Sequence, residues 1–256
     1  MTGLTLLLVL QTVTAGQPAV QAPSARSLND YPFAVGERFD YDAKLGLLKL
    51  GTGYMEVTGI DTLRGVETFR FEFGLEGGGL GFTINDRIES WTTTADLISL
   101  RLYKELAERK KVRKRTYEIF PDSGHYREVE KDIVRPTPKE PLDDTAFFYF
   151  MRVTPLVVGK TYRYNRYFQD EKNPLIVKVE KRERLKLPDG RKVDCLVLQP
   201  VIGDKGMFAK RANARVWLTD DARRIPVQIR SRFPFGTITL KLKKMVLPDG
   251  ASSTSN

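Results

Sequence analysis

Apolar and polar residues alternate along most of this chain. Phe39, Tyr41, Ala43 and Leu45 alternate with Asp40, Asp42 and Lys44, and Phe69, Phe71 and Phe73 alternate with Thr68, Arg70 and Glu72. Leu175, Val177 and Val179 are separated from Lys178 and Glu180 in the same way. Val227, Ile229 and Phe233 alternate with Gln228, Arg230 and Arg232, and Ile238, Leu240 and Leu242 with Thr237, Thr239, Lys241 and Lys243. A period of two gives each strand one face for a core and one for water, the pattern of antiparallel rather than fully buried parallel sheet. Turn-forming runs punctuate the strands: Pro121-Asp122-Ser123-Gly124, Pro188-Asp189-Gly190 and Gly203-Asp204-Lys205-Gly206. Asp and Gly there tolerate the positive φ that tight turns need.

About a dozen strands are predicted from this pattern. They run through 37–45, 52–60, 66–74, 82–92, 97–104, 111–120, 125–134, 160–168, 174–186, 191–201, 208–219, 225–233 and 236–246. The class is all-β with one short helix. Many consecutive strands joined by hairpins make a meander, and a long meander must curl to bury its apolar face and limit its edges. The expected architecture is a strongly curved antiparallel meander forming an open or half barrel.

The helix is expected at Ala146–Arg152, where Phe147, Phe150 and Met151 fall at i, i+3 and i+4. Asp143-Asp144-Thr145 supplies a cap and carboxylates near the positive end of the helix dipole. Pro155 ends it, and Pro136, Pro138 and Pro141 lead into it. So short and aromatic a helix needs a surface to pack on, and the concave side of the sheet provides one.

The ends of the chain read differently. Leu4–Leu10 is a nearly unbroken aliphatic run, followed by small residues at Val13 and Ala15 and again at Val20 and Ala22. This predicts a signal peptide over residues 1–22, although no Lys or Arg precedes Leu4. The run is too short to span a bilayer, so no transmembrane segment is expected in the mature chain. No cysteine stands directly after it, so no lipoprotein-type anchor is expected either. Residues 23–32 read as a linker, 33–247 as a single antiparallel β domain and 248–256 as a Ser-rich, disordered tail.

Length and composition fit this reading. The chain has 256 residues, 41% of them hydrophobic and 10% aromatic, enough for one large all-β domain with a real core. The net charge is +10, and residues 1–22 carry no charged side chain, so a mature form would keep all of it. A pI near 9.6 favours anionic partners such as lipid headgroups or cell-wall polymers, or else serves solubility. An exported chain is not expected to meet nucleic acid.

Catalytic chemistry is poorly provided for. His125 is the one histidine, placed after a turn, and Cys195 is the one cysteine, on a strand where Val193, Cys195 and Val197 share a face. The first reads as a surface residue and the second as a buried, inert thiol. No intramolecular disulfide can form, and no zinc site of the usual ligands can be assembled. Gly77-Gly78-Gly79 lacks the Lys-Ser/Thr of a phosphate loop and reads as a hairpin loop or bulge. Asp86 and Glu89 are the available carboxylates for acid–base work, or members of a charged cross-strand network with Arg87. The chain is expected to bind rather than catalyse, with no cofactor.

The candidate binding residues are the aromatics and Met expected on the concave face and its helix: Trp91, Phe147, Phe150, Met151 and Trp217. The basic run Lys110, Lys111, Arg113 and Arg115, with Lys114 among them, either contacts an anionic surface or is a solvated hairpin edge that discourages aggregation.

Several short stretches, in order, resemble a family. They are Val35-Gly36-Glu37-Arg38-Phe39-Asp40-Tyr41, Ile88-Glu89-Ser90-Trp91, and Leu142-Asp143-Asp144 with Phe148-Tyr149-Phe150-Met151-Arg152. Gly159-Lys160, Val216-Trp217-Leu218-Thr219-Asp220-Asp221, Arg224-Ile225-Pro226-Val227 and Phe235-Gly236-Thr237-Ile238 complete the set. Together they resemble domain-of-unknown-function family 3108, bacterial envelope proteins, over roughly residues 33–246. The resemblance implies a fold similar to the periplasmic lipoprotein carriers LolA and LolB, an open curved sheet whose concave face holds acyl chains. It implies no catalytic residues. Asp143 would cap the helix, and Asp220 would shape the turn before Pro226, a residue suited to a strand's first position.

Three functions follow as expectations. The first is a periplasmic carrier or receptor for a lipid, acyl or lipoprotein-type ligand, with the helix plugging or gating the site. The second is a structural or interaction module of the cell envelope, binding a protein or anionic polymer through a basic face. The third is an enzyme on envelope polymers, which would lean on His125 and Asp86.

Overall fold

The computed structural model describes residues 26–79, 82–108, 111–234 and 236–248. The expected signal peptide, Lys110 and all of the tail beyond Pro248 lie outside the described residues.

Among the described residues, fourteen strands form one sheet. They are β1 (Arg38–Leu45), β2 (Leu48–Leu63), β3 (Val66–Gly79), β4 (Phe82–Thr93), β5 (Ser99–Glu108), β6 (Lys111–Phe120), β7 (His125–Glu128) and β8 (Ile133–Pro136), then β9 (Thr161–Tyr164), β10 (Leu175–Lys186), β11 (Lys192–Val201), β12 (Arg215–Thr219), β13 (Pro226–Phe233) and β14 (Gly236–Val246). Helix α1 (Ala146–Val153) lies between β8 and β9. The spatial order is β8-β7-β6-β5-β4-β3-β2-β1-β14-β13-β12-β11-β10-β9, and every neighbouring pair is antiparallel. The sheet is therefore two meanders, β1–β8 and β9–β14, zipped together at its middle by β1 and β14. It is an open half barrel, with β8 and β9 as its edges.

Both edge strands are short, which limits the unpaired backbone they present. The segments flanking them approach one another. Thr137 Oγ1 donates to Phe168 O at 2.7 Å, Phe168 N–H donates to Leu142 O at 2.9 Å, and Leu142 N–H donates to Arg166 O.

Alternation builds the core. The inward residues Phe39, Tyr41, Val57, Phe69, Phe71, Leu102, Val177, Val179, Leu198, Val216 and Ile229 are all buried. Each large side chain removed from water contributes about 1.5–3 kcal/mol. The helix, Ala-Phe-Phe-Tyr-Phe-Met-Arg-Val, is apolar nearly all round, and such a helix is stable only when enclosed. It lies on the concave side of the sheet, with the Tyr149 ring stacked on Phe71 at a 3.7 Å centroid separation.

Several of the expected elements change, and of the expected strand 160–168 only Thr161–Tyr164 is strand. Residues 125–134 are a hairpin, β7 and β8, because a 3-10 turn at Val129–Lys131 and Asp132 at φ 54° reverse the chain. Of residues 208–219 only Arg215–Thr219 is strand; the β11–β12 loop instead turns through Lys210–Ala212 and lays Phe208 into the core. The described part of the 23–32 segment packs on the domain: Tyr31 is buried, and its hydroxyl donates to Thr94 O at 2.8 Å. Gly77–Gly79 belong to β3 rather than to a loop. A Cβ on Gly77 would sit 2.1 Å from Leu50 O, so β2 and β3 approach there only because the residue is glycine.

Candidate functional site

The site is a cavity of about 410 Å³ on the concave side. It is open at the end of the half barrel where the β5–β6, β13–β14 and β11–β12 connections lie. Phe73 and Leu75 of β3, Ile88 of β4 and Leu106 of β5 form one wall, Phe148 of α1 the floor, and Met207 and Phe208 of the β11–β12 loop the opposite side. A narrower apolar space continues past Leu75, Met207 and Phe233 toward Ile238. The volume falls within the roughly 300–1,000 Å³ of small-ligand pockets, enough for one slender apolar group.

The helix start supplies polar groups to the floor. Asp143 Oδ1 accepts the backbone N–H groups of Thr145 at 2.8 Å and Ala146 at 2.9 Å, so its carboxylate caps α1. Its Oδ2 accepts Ser90 Oγ–H at 2.5 Å, while Ser99 Oγ accepts the Asp143 N–H at 3.0 Å. Burial pushes the Asp143 carboxyl above its ordinary value, against the pull of those hydrogen bonds. The hydroxyl of Thr145, on the cavity wall, is buried and has no hydrogen-bond partner among the described residues.

Charged groups gather at the mouth. Lys104 pairs with Asp144, whose other oxygen accepts Tyr167 Oη–H at 2.7 Å. Burial pushes the Asp144 carboxyl up, but Lys104, the Tyr167 hydrogen bond and the charge of Lys172 together hold it below the usual carboxylate range. Burial would likewise depress Lys104, but Asp144 holds its ammonium above the ordinary value. Lys172 is pulled down, chiefly by burial; Asp144 opposes that shift, while the positive charges of Lys104 and Arg115 add to it. Lys205 completes the cationic side. An incoming anion would relieve the repulsion among these cations.

Strand parity sorts the predicted residues. Register sets Lys104 opposite Arg115, Leu106 opposite Arg113 and Glu108 opposite Lys111, so Lys111, Arg113 and Arg115 share the face that bears the cavity. Lys114 is on the other face, 3.7 Å from Glu105. Trp91 is not on the concave face. It stands opposite Arg70 on the outside of the sheet, between the Arg70 and Arg101 guanidiniums at 5.8 and 5.4 Å from its ring. Trp217 is also on the convex side: its neighbours Val216 and Leu218 take the core face, and Arg230 lies 5.6 Å from its ring. Phe147 and Met151 are core residues, with Phe147 packed on Phe208 at 5.3 Å. Phe150 is half-buried, edge-on to Tyr164 and under Arg166. Of the helix aromatics, Phe148 is the one that lines the cavity.

The candidate catalytic groups do not converge. Asp86 lines the cavity and accepts the Ala107 N–H at 2.9 Å, whereas Glu89 is on the convex face with Arg70 and Arg87. His125 stacks on Phe120 at 5.0 Å, with Nδ1 3.4 Å from Ser123 O. Cys195 is buried, and burial pushes its thiol up to about 12. Among the described residues no three His, Cys, Asp or Glu side chains cluster as metal ligands. The turn before Pro226 is shaped by Asp221 rather than Asp220. Asp221 Oδ1 accepts Thr219 Oγ1–H at 2.7 Å and the N–H groups of Arg223 and Arg224, while Asp220 turns outward to Arg182.

The sequence profile of a family described as "Protein of unknown function (DUF3108)" matches residues 40–243. The chain belongs to this family. As a DUF3108 member it meets the expectation drawn from its scattered motifs. No curated protein matches it. Among solved structures it is similar to a β-barrel-like protein of domain of unknown function DUF1849 from Brucella abortus, with a TM-score of 0.54 at 11% identity, covering 85% of this chain and 99% of that one. That likeness supports the half-barrel fold. A putative lipoprotein from Parabacteroides distasonis ATCC 8503 aligns with a TM-score of 0.36 at 9% identity, over 88% of this chain and 100% of that one. No helix among the described residues is long and apolar enough to cross a membrane.

Proposed function

We propose that this DUF3108 protein is an exported, periplasmic carrier or receptor for an amphipathic envelope molecule, a lipid, acyl or lipoprotein-type ligand. The observation that carries the reading is the apolar cavity beside Phe148 with Lys104, Lys172 and Lys205 at its mouth. An apolar chain would enter between Leu106 and Met207, and an anionic head would stay among the lysines. The volume suits one chain rather than several.

Native mass spectrometry of the protein purified gently from its own periplasm tests this. A co-purified acyl species is expected. A clean apo mass, together with no displacement of a fluorescent fatty-acid probe, would sink the reading.

A second reading, an envelope module that binds an anionic polymer or protein, has one observation in its favour. Arg230 and Arg232 line a polar hollow with Thr237 and Thr239 on the convex face. It predicts binding that falls steeply with salt and needs no lipid.

A further inference from the structure

The end of the half barrel where the cavity opens is ringed by strand connections. Antiparallel pairing puts the β1–β2 turn at the middle of that ring, because β1 and β14 hold the centre of the sheet. The turn is two residues long, Gly46-Leu47, with Gly46 at φ +60° closing Leu45 onto Leu48. Its side chains are the wrong kind for a soluble tip. Leu47 is 100% exposed and Leu48 60%. Lys44 and Lys49 flank them, and Lys49 reaches Asp42 at 2.8 Å while staying half exposed. Further round the rim, Val112 is 56% exposed beside the exposed Lys111.

Nothing in the fold requires two exposed leucines here. A single exposed apolar residue needs no explanation, but two at the apex of a turn, bracketed by lysines, on the rim that holds the cavity mouth, form an amphipathic edge. Leucine at such an apex gains by entering the acyl boundary, and lysines one step behind sit at headgroup depth, where an anionic surface attracts them. A protein partner would call for a broader apolar patch with a defined rim. A bilayer needs only a point of insertion and a positive surround.

We propose that this rim docks on an anionic phospholipid surface, with Leu47 and Leu48 inserting and the cavity mouth held against the membrane. This rests on the carrier reading, and it gives that reading a route by which a ligand passes between cavity and bilayer without crossing water.

The test is co-sedimentation of the purified full chain with vesicles of phosphatidylethanolamine and phosphatidylglycerol, beside vesicles of phosphatidylcholine alone. Binding is expected to the anionic vesicles, weakening with salt. Leu47→Ser with Leu48→Ser is expected to weaken it at least tenfold, an order-of-magnitude figure for withdrawing two leucines from the acyl boundary. The substitutions are at an exposed tip, and an unchanged circular dichroism melt confirms folding.

Orientation is read separately. Cys195 is buried, so Leu47→Cys carries a single accessible thiol for an environment-sensitive dye, and Asp189→Cys places the dye at the opposite end. The dye at 47 should shift to the blue on vesicle addition, and the dye at 189 should not. No binding to anionic vesicles at low salt overturns the proposal, as does equal binding to phosphatidylcholine. So does full binding by the double serine variant, or an equal shift at both dyes. A dimer abolished by the serine pair, with no vesicle binding, would assign the rim to self-association instead. Ligand retention by the serine variant in native mass spectrometry separates the two readings: a filled cavity with lost docking leaves the carrier reading intact.

Discussion

Arg152 near the end of α1 and Glu37 immediately before β1, 115 residues apart, form a two-pronged ion pair with each side chain 1% exposed. One prong, Nη2 to Oε2, measures 2.9 Å. The guanidinium also donates to Pro32 O and Arg223 O and lies over Phe33, Phe39 and Tyr149. This pair ties the helix, and with it the cavity floor, to the centre of the sheet.

Arg152→Met should therefore destabilise strongly, by about 3–5 kcal/mol, because it strands the Glu37 carboxylate without a counter-charge. Replacing both partners, Arg152→Met with Glu37→Leu, should recover much of the loss. Urea titrations of the two variants measure this. Equal losses in both would mean that the backbone carbonyls, not Glu37, dominate the arginine's role.

Asp143→Ala removes the acceptor for two helix N–H groups and for Ser90. A loss of about 1–3 kcal/mol is expected, with Asp143→Asn costing less because its carbonyl can still accept. Thermal melts compare them, and a neutral alanine variant would contradict the capping role.

The Lys104–Asp144 pair sets a pH window. The Asp144 carboxyl is held below its ordinary value in the fold, so its contribution is present above the unfolded carboxylate range and is lost as pH falls through the folded value. The Lys104 ammonium is held above its ordinary value, so its share is present below the unfolded value and is lost as pH rises through the folded one. Stability measured against pH should thus be flat across neutrality, and Asp144→Asn should flatten the acid limb. An unchanged acid limb would assign it to other carboxylates.

Leu106→Trp should fill the cavity mouth at little cost to folding, since Leu106 is only half-buried. Fatty-acid probe affinity is expected to fall at least tenfold, an estimate for blocking one pocket wall, while the melting midpoint holds. Lys205→Glu should weaken anionic probes and leave a neutral long-chain alcohol unaffected. A probe that binds the tryptophan variant as before sits elsewhere.

Much of the fold is legible in the alternation itself. Phe69, Phe71 and Phe73 declare both a strand and its inner face, and β1, β6, β13 and β14 fall within a residue of the expected bounds. The β7–β8 reversal escapes that reading because no Gly or Pro marks it; Asp132 takes the left-handed conformation instead. The Asp143 cap shows in its position before an apolar run. The cavity does not show. Trp91 and Trp217 look like pocket residues by type, yet each is one residue out of step with the inward positions of its strand. Phe148 and Leu106 look ordinary, and only the approach of the β11–β12 loop makes them a wall. Lys172 and Lys205, which bring charge to the mouth, come from loops whose placement no local pattern encodes.

The junction of β1 with β14 has a consequence for how the molecule is made. Arg38 pairs with Val246 and Leu45 with Ile238, so the first strand waits for the last before its second edge is covered. Until then the eight-stranded half exposes a long, hydrogen-bond-hungry edge, and closing so large a loop is entropically slow. Synthesis from the N-terminus delivers that half first. The chain therefore has every reason to stay unfolded, or to be held so, until its final strand arrives.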